Sequence, residues 1–205
     1  MAEVNAQLIK ELRDKTGVSM MECKKALVEC ACDMKKAEEW LKFHGMTKAD
    51  KKKDKETGSG RVGSYIHANG KIGVLVEIGC ETDFVANNTE FQDLLKDVAL
   101  QIAAMKPFYV ARTDIPDDVI EREKAYYLKE LNEQQKGGKE KPAAVLEKIL
   151  EGKMEKLLYN QKCLMEQSFI KDESMKIADI IKTKIAKFGE NIVVKKFQRF
   201  EIGQQ

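Results

Sequence analysis

Asn69-Gly70 constrains this chain more than any other pair of residues in it. A tight hairpin turn needs positive φ at its central positions, and Asn-Gly supplies that at low steric cost. On both sides the hydrophobic period is two: Val62 to Ala68 leads in, and Lys71 to Gly79 leads out. In the second run Ile72, Val74, Val76 and Ile78 point one way, as in a half-buried strand. An antiparallel ribbon is therefore expected. A two-residue turn pairs Tyr65 with Val74 and His67 with Ile72, which places His67 on the apolar face as a packed, hydrogen-bonded histidine. Near the C-terminus, Ile192 to Ile202 is a β-branched and aromatic run with imperfect alternation, suited to completing an antiparallel sheet with the hairpin.

The first 45 residues read as three short helices. Val4, Leu8, Ile9 and Leu12 share one face, and Gly17 follows as a C-terminal cap. Ser19 and Glu22 form a capping box ahead of the stripe Cys23, Ala26, Leu27 and Cys30. A third helix starts at Asp33, runs through Ala37, Trp40, Leu41 and His44, and stops at Gly45. Residues 46–60, with Lys51-Lys52-Lys53 among acids and Gly58-Ser59-Gly60 at the end, have little apolar content and read as a polar tether. The remainder, 61–205, reads as one α+β domain. Its helices comprise one with Phe91, Leu94, Leu95, Val98, Ile102 and Met105 on a face, stopped by Pro107, and one opened by Pro116 and broken at Lys136-Gly137-Gly138-Lys139. Another is opened by Pro142, with Val145, Leu146, Ile149 and Leu157 as core candidates, and the last is capped by Ser174 and Gly189.

Composition narrows the function. The 36 basic and 34 acidic side chains nearly cancel, to a net charge of +2, where nucleic-acid binders carry a basic excess or face. No apolar run is long enough for a membrane helix, and the N-terminus lacks the plan of a signal peptide. Five scattered cysteines suit a reduced, cytoplasmic protein with buried thiols, and they form no zinc spacing with His44 and His67. Phosphate-loop, dinucleotide, hydrolase-elbow and zinc-protease motifs are absent, so neither an enzyme nor a cofactor is expected.

Two stretches look made for contact. Met20-Met21 follows the Ser19 cap directly, and both side chains cannot easily be buried in one short first turn; methionine suits adaptable interfaces. Glu81-Thr82-Asp83-Phe84-Val85-Ala86-Asn87 sits between a strand and a helix without Gly or Pro. Asp83 and Phe84 there are either a helix cap with a core residue or a presented pair. Three classes stay open on residues alone: a surface-presenting partner protein, an RNA binder using Lys51-Lys52-Lys53 and Lys195-Lys196 with Phe197, Arg199 and Phe200, and an enzyme with Asp83 as base.

Taken together, Leu12-Arg13-Asp14-Lys15-Thr16-Gly17, Met20 to Leu27, Gly63-Ser64-Tyr65-Ile66-His67, Cys80 to Asn87 and Gly189-Glu190-Asn191-Ile192-Val193 resemble the bacterial elongation factor Ts family over essentially the whole chain. The resemblance implies a guanine-nucleotide exchange factor for elongation factor Tu, with an N-terminal module like a ubiquitin-associated domain. It further implies that Thr82, Asp83, Phe84 and Val85 dislodge Mg²⁺ from the partner, and that Arg13, Met20 and Met21 touch the partner's nucleotide-binding domain. The length matches short members of the family, which carry one core unit and form homodimers. No membrane contact and no direct nucleic-acid binding are expected.

Overall fold

A computed structural model of the chain describes residues 4–50, 52, 54–135 and 142–203. Lys51 and Lys53 of the basic run, the Lys136 to Lys139 break and the first three residues lie outside the described residues. The fold is α+β. By compactness the chain divides into two units. One comprises Met1–Gly63, Val76–Lys96 and Ala178–Lys195, the other Ser64–Leu75, Asp97–Ile177 and Lys196–Gln205.

The first unit begins with α1 (Ala6–Thr16), α2 (Met20–Glu29) and α3 (Met34–Asp50). The caps work as their sequences suggest. The Asn5 side chain accepts from the Leu8 N–H at 2.8 Å, Ser19 Oγ from the Glu22 N–H at 3.4 Å and Asp33 from the Lys36 N–H at 3.1 Å, each satisfying a donor the helix leaves open. Gly17 adopts a left-handed φ of 67° and returns its N–H to the Arg13 carbonyl at 2.7 Å. Leu12, Cys23, Ala26, Leu27, Ala37 and Leu41 close a small core, with Val4, Leu8, Ile9, Val18 and Trp40 packed around it. His44 stacks on Trp40, ring centroids 3.7 Å apart.

Gly45 does not stop α3, which runs on to Asp50. Its φ is not positive, so it is no cap. The missing side chain serves a close approach instead, because a Cβ at Gly45 would stand 2.8 Å from the Ala186 methyl. The start of the expected tether is thus helix.

Strands β1 (Ser59–Ile66), β2 (Ile72–Cys80) and β5 (Ile192–Glu201) form a sheet in the order β1-β2-β5, the antiparallel arrangement the alternation predicts. Gly70 (φ 67°) donates to the His67 carbonyl at 2.7 Å, and the His67 N–H donates to Ile72 at 2.9 Å. The expected register therefore holds around a slightly wider turn. His67 itself is exposed, not packed, because β1 ends at Ile66 and the histidine lies past the covered face. Its Nδ1 still meets Tyr65 Oη at 3.1 Å. Val74, Val76 and Ile78 are buried as patterned. In β5, Ile192 and Val194 face inward, Lys195 and Lys196 are both exposed, and Phe197 and Arg199 turn in again. This parity shift, the effect a bulge has, is why the alternation reads imperfectly.

After β2 come α4 (Asp83–Ala86), α5 (Thr89–Met105), α6 (Asp117–Gln135) and α7 (Ala143–Lys153). Met105 is exposed at the end of α5, unlike the core role its spacing suggests. α7 runs into a π-turn (Met154–Tyr159) and then α8 (Asn160–Lys162). That π-turn shifts the buried set: Val145 is exposed, while Met154 and Leu158 join Ile115, Tyr127 and Cys163 in a core of the second unit. Gln101 and Gln167 are buried there too, Nε2 of the first donating to Oε1 of the second at 3.1 Å. Two short strands, β3 (Ser168–Phe169) and β4 (Asp172–Lys176), precede α9 (Ile177–Phe188). Ser174 therefore lies in β4, donating to Asp172 at 2.6 Å, and is no helix cap.

Arg112 fixes the π-turn to the chain that follows it. Its guanidinium donates to both Glu155 oxygens, at 2.9 and 2.6 Å, and to Glu166 at 2.6 Å. Lys176 adds a 2.8 Å contact to Glu166. The Arg112 bonds, foremost, hold the Glu166 carboxyl at about 2, below the ordinary value of about 4.3. A depressed folded-state value stabilises the fold above the unfolded value and is lost as pH falls from about 4.3 towards 2. The side chains of Arg112 and Glu166 are 41% and 21% exposed, so solvent reduces the nominal 3 kcal/mol of that shift to about 1 kcal/mol. Glu166→Gln is expected to cost about 1 kcal/mol at pH 7 and to cost nothing by about pH 2; denaturant unfolding at both pH values checks it.

Candidate functional site

The Thr82 to Val85 segment is built by its own capping residue. Thr82 is the N-cap of α4, its Oγ1 accepting from the Val85 N–H at 3.4 Å. Asp83 therefore does not cap; it occupies the first turn with its carboxylate exposed, where the exposed N–H groups favour an anion. Val85 and Ala86 turn inward and are buried. Phe84, between them and Asp83, is left 84% exposed. A single helical turn cannot bury residues on opposite sides, so anchoring Val85 pushes Phe84 out. It is not a core residue.

The segment is held from behind by the turn before β5. The Thr82 N–H donates to Glu190 Oε2 at 3.0 Å, and its hydroxyl donates to Oε1 at 2.7 Å. Next to it, Glu81 Oε1 accepts from the Asn191 N–H at 2.7 Å and Oε2 accepts from Lys55 Nζ at 3.2 Å. The Asn191 bond, foremost, draws the Glu81 carboxyl below its ordinary value. Asn191 Nδ2 completes the knot with a 2.8 Å bond to the Lys55 carbonyl. Cys80 Sγ lies 3.2 Å from the Thr82 carbonyl, and burial pushes its thiol up. Arg61 reaches across to Asn87 at 3.0 Å. A rigid frame thus presents one carboxylate and one aromatic ring.

Arg13, Met20 and Met21 flank the α1–α2 turn of the three-helix module. Arg13 is exposed. Both methionines point away from the core, 42% and 67% exposed, because Cys23, Ala26 and Leu27 already fill it. Cys23, Cys80 and Cys163 are buried thiols, whereas Cys30 and Cys32 are only half-buried and all five are free. Among the described residues no group of three or more His, Cys, Asp or Glu is placed to hold a metal ion, and no helix is long and apolar enough to cross a membrane.

Two family descriptions match the chain in tandem: "Elongation factor Ts, mitochondrial, N-terminal" over residues 1–49, and "Elongation factor TS" over residues 34–204. The chain belongs to the elongation factor Ts family. Its relatives in this family include the elongation factor Ts of Thermodesulfovibrio yellowstonii, 51% identical over 201 residues that cover 98% of this chain and 97% of the relative. That of Thermosipho melanesiensis is 50% identical over 98% of this chain and 100% of its own. That of Anaeromyxobacter sp. (strain Fw109-5) is 50% identical over 100% and 90%.

Within this elongation factor Ts fold, Thr82, Asp83 and Phe84 are exposed together on one loop, while Val85 is their buried anchor. Arg13, Met20 and Met21 gather at a separate edge. The straps Glu81, Glu190 and Asn191 escaped notice because acids and amides in polar turns resemble ordinary solvated residues. The only available signal was their place in the Gly189 to Val193 stretch that carries the family likeness.

Proposed function

We propose that this member of the elongation factor Ts family is a cytoplasmic exchange factor for elongation factor Tu, acting in translation elongation by non-covalent distortion of its partner. The observation that supports this best is Phe84, an aromatic ring left in solvent on a clamped single-turn helix. A partner GTPase of the phosphate-loop type holds its nucleotide through backbone amides, a lysine and a Mg²⁺ ion that bridges phosphate oxygens. Phe84 wedges beside that cradle, Asp83 draws on the groups that organise the metal, and Thr82 and Val85 keep both in place. Arg13, Met20 and Met21 dock the partner's nucleotide-binding domain. Binding is reciprocal: whatever factor loosens the nucleotide, the nucleotide loosens in return, which releases the factor once GTP is bound. Stopped-flow release of labelled GDP from elongation factor Tu, with and without this protein, tests the proposal. Acceleration at catalytic amounts supports it. No acceleration, or steeply salt-dependent RNA binding instead, overturns it.

A homodimer follows from a second observation. On the outward face of the sheet, within the second unit, Ile66, Leu75, Phe200 and Ile202 are all exposed. Ile66 lies over Gly73, where a Cβ would stand 3.2 Å from its Cδ1, so the apolar side chains form a stripe rather than isolated points. Such a stripe favours a self-complementary contact. Light scattering is expected to give twice the 23.3 kDa chain mass, and Leu75→Glu with Phe200→Glu is expected to halve it. A 23.3 kDa particle at tens of micromolar excludes the dimer.

A further inference from the structure

The last turn of α9 and the connector behind it are gripped from two sides, both within the first unit. On one side stands the three-helix module. Gly45 of α3 approaches Ala186 so closely that only a hydrogen fits between them. The Lys187 stem lies across Gly17, where a side chain would collide with it, and Lys52 donates to the Gly189 carbonyl. A cavity of about 290 Å³, lined by Val18, Leu41, Ile185 and Phe188 among others, opens beside this seat, so the module rests on few contacts. On the other side stands the presented loop. The Lys187 ammonium reaches Glu90, in the first turn of α5, at 2.7 Å, and Lys184 joins it at 3.1 Å. Glu190 and Asn191 then bind Thr82 and Glu81 as described.

From these contacts we infer that the C-terminal end of α9 with its Gly189–Asn191 connector is a two-sided clamp. It sets the spacing between the Arg13, Met20 and Met21 edge and the Asp83–Phe84 pair, and Gly45 is its positioning residue. This rests on the exchange-factor function proposed above. Two contact points engage one partner together only when their separation matches it, and holding that separation in advance removes an ordering cost from binding. Gly45 touches no partner; it acts by letting α3 sit against Ala186.

Gly45→Ala, Ala186→Gly and the double variant test the clamp in the full chain. Alanine favours a helix over glycine, so Gly45→Ala does not weaken α3 itself, and any loss comes from the seat. In Gly45→Ala, amide hydrogen exchange in peptides 34–45 and 178–189 is expected to quicken while the melting temperature holds. The concentration that half-saturates GDP release rises about tenfold with the maximal rate within about twofold. The double variant, which returns the space of one methyl, restores both readouts. Gly45→Ala behaving as the parent in hydrogen exchange, or a double variant that fails to recover it, overturns the clamp. Hydrogen exchange needs no GTPase, so it decides the clamp even if the parent fails to speed GDP release, a result that would count against the exchange function alone.

Discussion

Phe84→Ala slows catalysed GDP release about thirtyfold, the equivalent of the roughly 2 kcal/mol that a central aromatic anchor loses on truncation. The melting temperature moves by no more than about 2 °C, because an exposed side chain away from the core contributes little to stability. The 84% exposure of Phe84 is the reason to expect both halves of that result. A core phenylalanine would cost about 3–5 kcal/mol on the same change, and the protein would melt visibly earlier. Asp83→Asn keeps the shape and removes the charge, so slower release with an unchanged melting temperature isolates the carboxylate. The measurement pairs thermal melts with stopped-flow release on both variants. An early melt with a normal rate per folded molecule excludes the wedge.

Removing residues 1–45 has a different signature. The module carries its own caps and its own closed core, so it is expected to leave as a unit. The remaining chain loses the cover of Gly45, Leu41 and Val18 over the end of α9 but keeps the sheet and the Glu190 and Asn191 straps. Affinity for elongation factor Tu is expected to fall about a hundredfold, with the Arg13, Met20 and Met21 contacts gone. Circular dichroism and a cooperative melt show whether the remainder is folded, and titration calorimetry reads the affinity. A truncated chain that binds as tightly as the parent rules out docking by the module.

Much of the fold was legible because local rules and tertiary packing agree. Ser19, Asn5 and Gly17 are read as caps from type and position alone, and they cap. The alternation of Ile72, Val74, Val76 and Ile78 names the inward face of β2 before any coordinates exist. Legibility failed where a distant neighbour overrules the local signal. Gly45 reads as a helix stop, yet Ala186 requires it to be a hydrogen-sized gap within a longer helix. His67 follows the inward parity of its strand but sits one residue past the strand's end. Ser174 has cap chemistry but is drawn into a two-strand ribbon that also forms around Ser168 and Phe169. At the candidate site, the residue types Asp83 and Phe84 stood out, while their presentation depends on Val85 facing inward and on Glu190, far away in sequence. No periodicity encodes such a pairing.

The π-turn between Met154 and Tyr159 limits how this chain can change length. Such a turn accommodates one residue more than an α-helical turn would. Deleting a single residue there would restore an ordinary helix, continuous and well hydrogen-bonded, and so look harmless. But each residue of an α-helix advances by about 100°, so everything after the deletion would rotate by that amount. Leu158 and Cys163 would swing off the core they share with Ile115 and Tyr127, and Glu155 would lose its alignment with Arg112. Tolerated variation in this stretch is therefore by substitution; a gain or loss of one residue would have to be matched by a second, compensating one before Cys163.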